Sequence, residues 1–326
     1  MAERKTGTVV DRELIAPTLM RLRLAPEEGC QFPTYEPGQH ITLRRNDCKL
    51  TRKTGVGQDG KPIYAPESDP WGRQTVGPIS QPFSIASAPS ETIEHGWLEF
   101  FMGLDQGLHG LPGRLSEALF GLDSEQACTV TYQDRVVGDF TLTKLVQDAQ
   151  NVLMAGTGTG VAPFVSMLKT LQAANDGGDG RRYTLVHTAR TEVELGYQET
   201  LFSIEAAGRF DFMYVPTISR PAPNVAVDPR IGQGRASNVV RHIYGLPTAE
   251  EDKQTRAKSD VSRVAAELAL ARLVPPLVPR HLRVSALAER VDPATTVLLT
   301  CGNPASTADI RATARRRGVR VEVETE

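Results

Sequence analysis

The first half of the chain consists of short runs of alternating apolar and polar residues, separated by turns rich in Gly, Pro, Asn and Asp. This pattern predicts antiparallel β-strands that form a small barrel or sandwich. Residues 44–80 interrupt it with many Gly and Pro and no sustained periodicity, so we expect an irregular surface insertion there. The predicted strands are Thr6–Asp11, Leu19–Leu24, His40–Leu43, Phe83–Ala86, Trp97–Phe101 and Cys128–Gln133.

The second half has a different pattern, in which apolar strands alternate with helices from about Gln147 onward. Such alternation predicts a mostly parallel sheet with crossover helices. The predicted strands are Asn151–Ala155, Tyr183–Thr188, Phe210–Thr217, Thr296–Thr300 and Val319–Val323. One predicted helix begins at Ala162. The other predicted helices cover Gly196–Ala207, Asp260–Leu273, Arg283–Arg290 and Ser306–Arg316. We therefore expect two domains: an N-terminal antiparallel β-barrel over residues 1–146, with the insertion 44–80, and a C-terminal α/β domain with a parallel sheet over residues 147–326.

The composition fits a globular protein of two domains. The 326 residues are 40% hydrophobic and 23% charged, which excludes a disordered or membrane-embedded chain. A formal net charge of -2 provides no strong overall field, so we expect no nucleic-acid partner. The sequence shows neither an apolar run of about 18 residues nor an apolar signal segment, so we expect no membrane partner and a cytoplasmic location.

The four cysteines, Cys30, Cys48, Cys128 and Cys301, are widely separated along the chain. No two of them form a Cys-x-x-Cys pair, so we predict neither a zinc ribbon nor a plant-type iron–sulfur site, and no metal site. If electrons pass through this protein, an organic cofactor must therefore carry them.

A glycine-rich turn follows the predicted strand Asn151–Ala155 and leads into an apolar helix. Its residues are Gly156, Thr157, Gly158, Thr159 and Gly160. Glycines let the main chain approach a phosphate, and the following helix N-terminus offers free N–H groups and a partial positive charge. The spacing differs from the standard dinucleotide fingerprint, and no acidic residue placed to bind a ribose hydroxyl stands out about 20 residues later. The residues alone leave two interpretations open: a phosphate-bearing ligand such as a nucleotide, and a plain strand–helix turn.

Five segments occur in the order typical of one enzyme family. They are Tyr35–Gln39, Gln81–Ser87, Gly113–Ser116, Gly156–Pro163 and Cys301–Pro304. This set resembles the Pro-Gly-Gln turn, flavin motif, Gly-x-x-Ser/Thr turn, GTGTGVAP loop and Cys-Gly turn of the ferredoxin–NADP+ reductase family. The resemblance covers the chain from about residue 8 onward, apart from residues 44–80 and helical additions around 249–290. It implies an FAD-binding β-barrel followed by an NADP-binding α/β domain.

In the resembled family, the second and third of these motifs bind FAD. The resemblance places the Ser84 hydroxyl near flavin N5. Phe83 as an ordinary core aromatic and Ser116 as a helix cap remain alternatives. The implied FAD-binding residues are Gln81, Phe83, Ser84, Ile85 and Ala86 along the flavin, and Gly113, Leu115 and Ser116 at the pyrophosphate.

Three positions depart from the family pattern. Gln81 replaces an arginine, so a charge that would neutralise the flavin diphosphate is lost, and FMN remains an alternative to FAD. Phe83 lacks the hydroxyl of the usual tyrosine. Glu324 stands about where the family has a terminal aromatic, which would leave that flavin face open to nicotinamide and to oxygen.

The resemblance also implies that the second domain binds a nicotinamide nucleotide. The loop Gly156–Gly160 would hold the nucleotide, with Gly302 on the nicotinamide side. Arg190, Arg220 and Arg235 stand where bacterial members carry basic residues, and arginine suits a 2′-phosphate, so we expect NADPH rather than NADH. Without the resemblance, the ordinary interpretation is three solvated surface arginines.

The activity that the resemblance implies is hydride transfer from NADPH to flavin N5. Ser84 and Cys301 would position the rings, and Glu322 would handle the proton. The alternative for Cys301 is a buried residue that ends a strand. The reduced flavin would pass electrons to a separate carrier such as a ferredoxin or flavodoxin. Two other interpretations stay open: the reductase component of a multicomponent oxygenase, and a non-catalytic flavin-binding electron-transfer subunit.

Overall fold

The computed structural model describes residues 3–57, 62–105, 114–122, 128–174, 179–222 and 226–324. The chain divides into two compact units, Met1–Gly138 and Asp139–Glu326. The sequence pattern instead suggested a boundary after residue 146. The first unit is an antiparallel β-structure and the second contains a parallel sheet with helices, which confirms the predicted fold class.

The first unit is built around one antiparallel sheet. Its strands are β1 (Arg4–Ala16), β2 (Leu19–Pro26), β3 (His40–Lys49), β4 (Thr51–Val56), β5 (Pro62–Pro66), β6 (Val76–Ser84), β7 (Leu98–Gly103) and β8 (Thr129–Val137), and its helices are α1 (Pro89–His95) and α2 (Arg114–Phe120). The main sheet has the order β6-β3-β8-β1-β2-β7. Its two edge strands approach each other where Ile85 bridges to Phe100 and the Ala86 N–H donates to Glu99 O at 2.8 Å. The sheet is thereby partly closed into a barrel.

Alternate side chains of this sheet form its core. Leu22 and Leu24 of β2 are fully buried, whereas the arginines beside them are half-buried. Ile41 and Leu43 of β3 are buried in the same way. Because successive strand residues point to opposite faces, burial of one face produces the period-two pattern by which these strands were predicted.

The described part of residues 44–80 is more regular than expected. β3 and β6 extend into it, and β4 and β5 form a separate two-stranded antiparallel sheet. The prediction of an irregular insertion is therefore wrong. β4 and β5 expose most of their side chains, so they need no apolar alternation. Main-chain hydrogen bonds hold the segment instead, including Leu50 N–H to Thr75 O at 2.9 Å and Thr75 N–H to Glu67 O at 2.8 Å.

The second unit contains one parallel sheet. Its strands are β9 (Asn151–Thr157), β10 (Arg182–Ala189), β11 (Asp211–Ile218), β12 (Gly232–Gln233), β13 (Thr296–Cys301) and β14 (Arg320–Val323). Its helices are α3 (Leu142–Leu145), α4 (Ala162–Ala173), α5 (Gln198–Ala207), α6 (Ala236–Ile243), α7 (Ala249–Arg256), α8 (Asp260–Ala271), α9 (Val284–Ala288) and α10 (Pro304–Arg316). The strand order β12-β11-β10-β9-β13-β14 reverses direction between β9 and β13. In open parallel sheets, ligands bind beyond the carboxyl ends of the strands at such a reversal.

Both faces of the parallel sheet are buried. On one face, Val186 and Val215 belong to a core cluster that includes Val239 of α6. On the other face, the Tyr214 ring meets Phe202 of α5 with ring centroids 5.0 Å apart. Strands buried on both faces have nearly continuous apolar sequences, which explains why the central strands could be predicted.

Helix α6 was not predicted, and α7 lies at the start of residues 249–290, where helical additions were expected without bounds for this helix. The apolar residues of α6, Ala236, Val239, Val240 and Ile243, have helical spacing but cover only two turns. The α7 sequence has no apolar stripe at all, and its one buried residue is Glu250. A helix without an apolar face gives no periodic signal, so α7 depends on other contacts.

Polar contacts hold α7 against α6 and α10. The buried Arg241 guanidinium donates to Asp252 of α7 at 2.8 Å and to Asp309 of α10 at 2.7 Å. Asn238 Nδ2 of α6 donates to Glu250 Oε2 of α7 at 2.8 Å. Because both partners of each contact are at least partly withdrawn from water, losing one partner leaves the other poorly solvated.

We expect Arg241→Ala to lower the free energy of unfolding by about 3 kcal/mol, because Asp252 and Asp309 lose a shared buried partner. Chemical denaturation followed by circular dichroism measures the change. Arg263→Ala is the matched control, since the Arg263 side chain is 61% exposed and its ion pair with Asp260 is solvated. Equal loss of stability in the two variants would contradict the prediction.

Candidate functional site

The glycine-rich turn lies at the carboxyl end of β9, beside the reversal in strand order. β9 ends at Thr157, a short 3-10 turn covers Gly158–Val161, and α4 begins at Ala162. Gly158 has φ +56°, and a Cβ built on it would meet no atom within 4 Å. The main chain at Gly158 therefore faces open space that even one methyl group would begin to fill.

The glycine turn interlocks with the Cys-Gly turn that follows β13. Cys301 is the strand neighbour of Gly156. A Cβ on Gly160 would lie 2.5 Å from the Gly302 Cα, and a Cβ on Gly302 would lie 2.3 Å from Thr157 Oγ1. Gly302 also has φ +115°, which side chains other than glycine rarely adopt. The structure thus brings together the two segments that the sequence predicted at a nucleotide site.

Two helices begin at this edge of the sheet. α4 follows the glycine turn, and α10 follows the Cys-Gly turn with Asn303 as its N-cap. Asn303 donates its N–H to Thr157 Oγ1 at 2.7 Å and accepts from Ala305 N and Ser306 N, each at 3.1 Å. The Ser306 Oγ is buried and has no hydrogen-bond partner among the described residues. The partial positive charge of two helix N-termini and an unsatisfied hydroxyl suit an anionic ligand, so this edge fits a nucleotide.

The three predicted phosphate-binding arginines lie on the loops after adjacent strands. Arg190 follows β10, Arg220 follows β11 and Arg235 follows β12, and all three are exposed. Arg220 N–H donates to Arg190 O at 2.8 Å, which joins the first two loops. The carboxyl ends of these parallel strands share one edge, so the three arginines belong to the edge that carries the glycine turn.

The buried thiol of Cys301 contacts a carboxylate. Cys301 is 7% exposed, and its Sγ donates a hydrogen bond to the Glu324 carboxylate. Glu322 lies on β14 level with Leu299 and is partly exposed. The Cys301 partner is therefore Glu324, the residue that stands where the resembled family has an aromatic. Its spacing of two residues from Glu322, just after β14, was the available signal.

In the first unit, the Pro-Gly-Gln turn and the flavin motif pack together. Ser84 is the last residue of β6 and is buried. The Ile85 N–H that follows donates to Gln39 O at 3.0 Å, and Tyr35 Oη donates to Ser87 O at 3.0 Å. Beyond Ser84, Ala86 is held by its bond to β7. Two motifs that are far apart in sequence therefore form one structural site.

Gln81 and Phe83 lie on the other face of β6 from Ser84. They pair with Leu43 and Ile41, both of which are core residues. Phe83 is half-buried and meets the core residue Phe100 edge-on, with ring centroids 6.5 Å apart. Both side chains therefore lie on the core-facing side of β6, and Phe83 packs against the core of the first unit. The roles predicted for them along a flavin stay predictions.

The third motif is only partly described. Gly113 lies outside the described residues. Leu115 is fully buried in the core of the first unit, and Ser116 Oγ accepts the Asp105 N–H at 3.0 Å. Ser116 therefore binds the main chain at Asp105. The roles predicted for these three residues at a pyrophosphate stay predictions.

The described residues contain neither a metal-binding cluster nor a membrane-spanning helix. No group of three His, Cys, Asp or Glu side chains in those residues is placed to hold a metal ion. No helix of the described ranges is both long enough and apolar enough to cross a membrane.

One family model matches part of the second unit. Residues 154–244 match the family model of the oxidoreductase NAD-binding domain. A search of curated protein sequences finds no match. Among solved structures, the chain is similar to a ferredoxin NADP+ reductase from Neisseria gonorrhoeae with bound FAD and NADP. The two are 18% identical over 99% of each chain, with a TM-score of 0.59.

Other similar structures come from different electron-transfer systems. The chain is 15% identical to the cytochrome b5 reductase domain of Ulva prolifera nitrate reductase, over 99% of this chain and 97% of that one, with a TM-score of 0.57. It is 20% identical to an Amycolatopsis cytochrome P450 reductase, over 99% of this chain and 69% of that one, with a TM-score of 0.57. At these low identities, the TM-scores show a shared fold and no more.

The class of protein follows from these comparisons and the structure. The chain has the two-domain fold of the ferredoxin–NADP+ reductase family, and its second unit contains an oxidoreductase NAD-binding domain. The two-domain fold that the five motifs implied is thereby confirmed.

We expect Gly160→Ala to lower the free energy of unfolding by about 1–3 kcal/mol and to weaken nucleotide binding, because its Cβ would push the glycine turn away from Gly302. Thermal unfolding and NADP+ titration measure the two effects. Gly208→Ala is the control, since Gly208 ends α5, has φ +58° and has open space around it. It should lose about 1 kcal/mol from backbone strain and keep nucleotide affinity. Unchanged stability and affinity in Gly160→Ala would show that the two turns do not depend on their close contact.

A buried histidine lies beside the glycine turn. His187 of β10 is the strand neighbour of Gly156 and is fully buried. Its Nδ1 is 2.9 Å from Tyr214 Oη, and its Nε2 has no partner among the described residues. Burial disfavours the charged ring and lowers the pKa of His187 from 6.5 to about 3.

This pKa predicts a pH dependence of stability. The unfolded state binds a proton that folded His187 cannot bind, so its contribution is fully present above pH 6.5 and is lost as pH falls toward 3. The slope approaches about 1.4 kcal/mol per pH unit. Urea unfolding of the protein and of a His187→Phe, Tyr214→Phe double variant over this range measures it. The double variant should lose this slope, whereas exposed His281→Gln should keep it. A slope unchanged in the double variant would refute the assignment.

Proposed function

We propose that this chain is a flavin-dependent oxidoreductase that passes electrons between NADPH and a separate carrier protein, such as a ferredoxin or flavodoxin. The observation that carries the proposal is the interlocked pair of turns at Gly160 and Gly302. It lies at the strand-order reversal, where a nucleotide is expected, and the glycine turn falls within the matched oxidoreductase domain.

The first unit would hold FAD along β6. Gln81 and Phe83 would lie along the flavin chain, while Ser84, at the buried end of the strand, would approach the reactive ring. The Neisseria gonorrhoeae reductase of the same fold has bound FAD and NADP, which supports this choice of cofactors. A bound flavin supplies acceptance of a hydride and release of single electrons.

The second unit would bind and orient the nucleotide. The main chain of the glycine turn and the partial positive charge at the α10 N-terminus would bind its diphosphate. The Cys301 thiol, at the same edge, would orient the nicotinamide and help to exclude water. Because the thiol already donates to Glu324, the carboxylate fixes the direction of the S–H bond. Glu322, partly exposed, would exchange protons with solvent.

The preference for NADPH over NADH is part of this proposal. Arg190, Arg220 and Arg235 would bind the 2′-phosphate from three neighbouring loops. Arginine suits that group because its planar guanidinium can donate two parallel hydrogen bonds to phosphate oxygens.

A reductase component of an oxygenase system is the second candidate. The similar structures that favour it are the Amycolatopsis cytochrome P450 reductase and a ferredoxin reductase in carbazole 1,9a-dioxygenase. Both candidates need the same hydride step and differ in the electron acceptor. A third candidate, a flavin-binding subunit without catalysis, differs in lacking that step.

We expect the purified protein to be yellow and to lose its visible flavin absorption when NADPH is added without oxygen. The reduction should be slower in Ser84→Ala and Cys301→Ala at unchanged flavin content, because these variants misplace the reacting rings without removing the cofactor. Stopped-flow absorbance with NADPH and with NADH measures the rates and the preference.

Each other outcome supports a different assignment. A yellow protein that neither coenzyme bleaches would support the non-catalytic subunit. A colourless protein that binds no added FAD would refute the proposed function. Reoxidation of the reduced protein by ferredoxin, by flavodoxin or only by an oxygenase component identifies the acceptor.

A further inference from the structure

A buried carboxylate lies beside one of the arginines proposed to bind the 2′-phosphate. Arg235 is the N-cap residue of α6, and its side chain is 70% exposed. Its Nη1 lies 3.7 Å from Glu250 Oε1, in the first turn of α7. No sequence pattern indicates this contact, because the two residues belong to different helices.

Glu250 is held in place from its other side. Its Oε2 accepts a hydrogen bond from Asn238 Nδ2 at 2.8 Å, and Asn238 Oδ1 accepts the Ala249 N–H at 2.9 Å. Asn238 is 1% exposed and Glu250 is 7% exposed. The carboxylate is thus fixed, whereas the Arg235 side chain is largely exposed to solvent.

The helix that carries Glu250 is also fixed. Thr248 and Glu251 form a capping box at the start of α7. The buried Arg241 ties Asp252, in the same turn, to α10. The carboxylate of Glu250 therefore cannot move away when an anion approaches Arg235.

We propose that Glu250 is a specificity-determining residue that weakens binding of the coenzyme 2′-phosphate. The inference rests on the proposed function. A 2′-phosphate that recruits Arg235 must compete with Glu250 for the guanidinium and must approach a fixed negative charge. A coenzyme without the 2′-phosphate meets neither penalty. Glu250 thereby reduces the ratio of NADPH affinity to NADH affinity that Arg190 and Arg220 create.

The direct test compares two ligands that differ only in this phosphate: adenosine 2′,5′-bisphosphate and adenosine 5′-monophosphate. We expect Glu250→Gln to bind the bisphosphate about three- to tenfold more tightly, as one removed charge at this separation allows, and the monophosphate unchanged. Glutamine keeps an oxygen that can accept from Asn238. Isothermal titration calorimetry on the full chain measures both affinities.

Two matched variants control for charge and for pairing. Glu267→Gln removes an exposed charge from α8 and should alter neither affinity. In an Arg235→Gln background, Glu250→Gln should have little further effect, because the guanidinium that it releases is absent. Equal tightening of both ligands by Glu250→Gln would overturn the inference, and so would a full effect in the Arg235→Gln background.

A second measurement does not depend on any Glu250 variant. Because Arg235 is already engaged, Arg235→Gln should weaken bisphosphate binding less than Arg220→Gln does. Equal losses would overturn the inference even if Glu250→Gln failed to fold. If the unmodified protein binds neither ligand, the proposed function fails. If it binds both and the variants change nothing, only the role of Glu250 fails.

Discussion

The candidate nucleotide site depends on a main-chain contact that only glycine permits. Gly160 and Gly302 come so close that a Cβ on either would overlap its neighbours. This contact sets the end of β9 against the end of β13, where the sheet reverses its strand order. Two helix N-termini consequently begin side by side, and Thr157 joins them through its bond to Asn303. The concentration of N–H groups at this edge is a consequence of backbone packing rather than of any charged side chain.

Much of the fold could be predicted because burial leaves a mark on sequence. The central strands of the second unit are apolar on both faces, and those of the first unit alternate, as Leu22 and Leu24 of β2 illustrate. Where burial is absent, the mark is absent too. The β4–β5 sheet exposes most of its side chains and is held by main-chain hydrogen bonds, which any residue except proline can donate. Its regularity was therefore missed.

The candidate site shows a related division. Motifs placed Gly156, Gly302 and the three arginines at strand ends, and the parallel topology brings strand ends to one edge. Contacts between separate elements of the fold carry no such signature. Arg241 pairs with residues of two other helices, and no periodicity links those positions in sequence. The same holds for Glu324, which contacts Cys301 from just after β14, although the family resemblance pointed to Glu322.

Two of the predicted ligand groups already have carboxylate partners within the second unit. Cys301 donates to Glu324, and Arg235 lies 3.7 Å from Glu250. Binding at either group is then an exchange of partners, so the affinity gained is the difference between two interactions and is smaller than the interaction with the ligand alone. In the first case Asn238 fixes Glu250, so the Arg235 side chain must move when a ligand binds. In the second case Glu324 lies just after β14, and the buried Cys301 thiol must give up its hydrogen bond. Selectivity among nucleotides can therefore arise from acidic residues that need not touch the ligand.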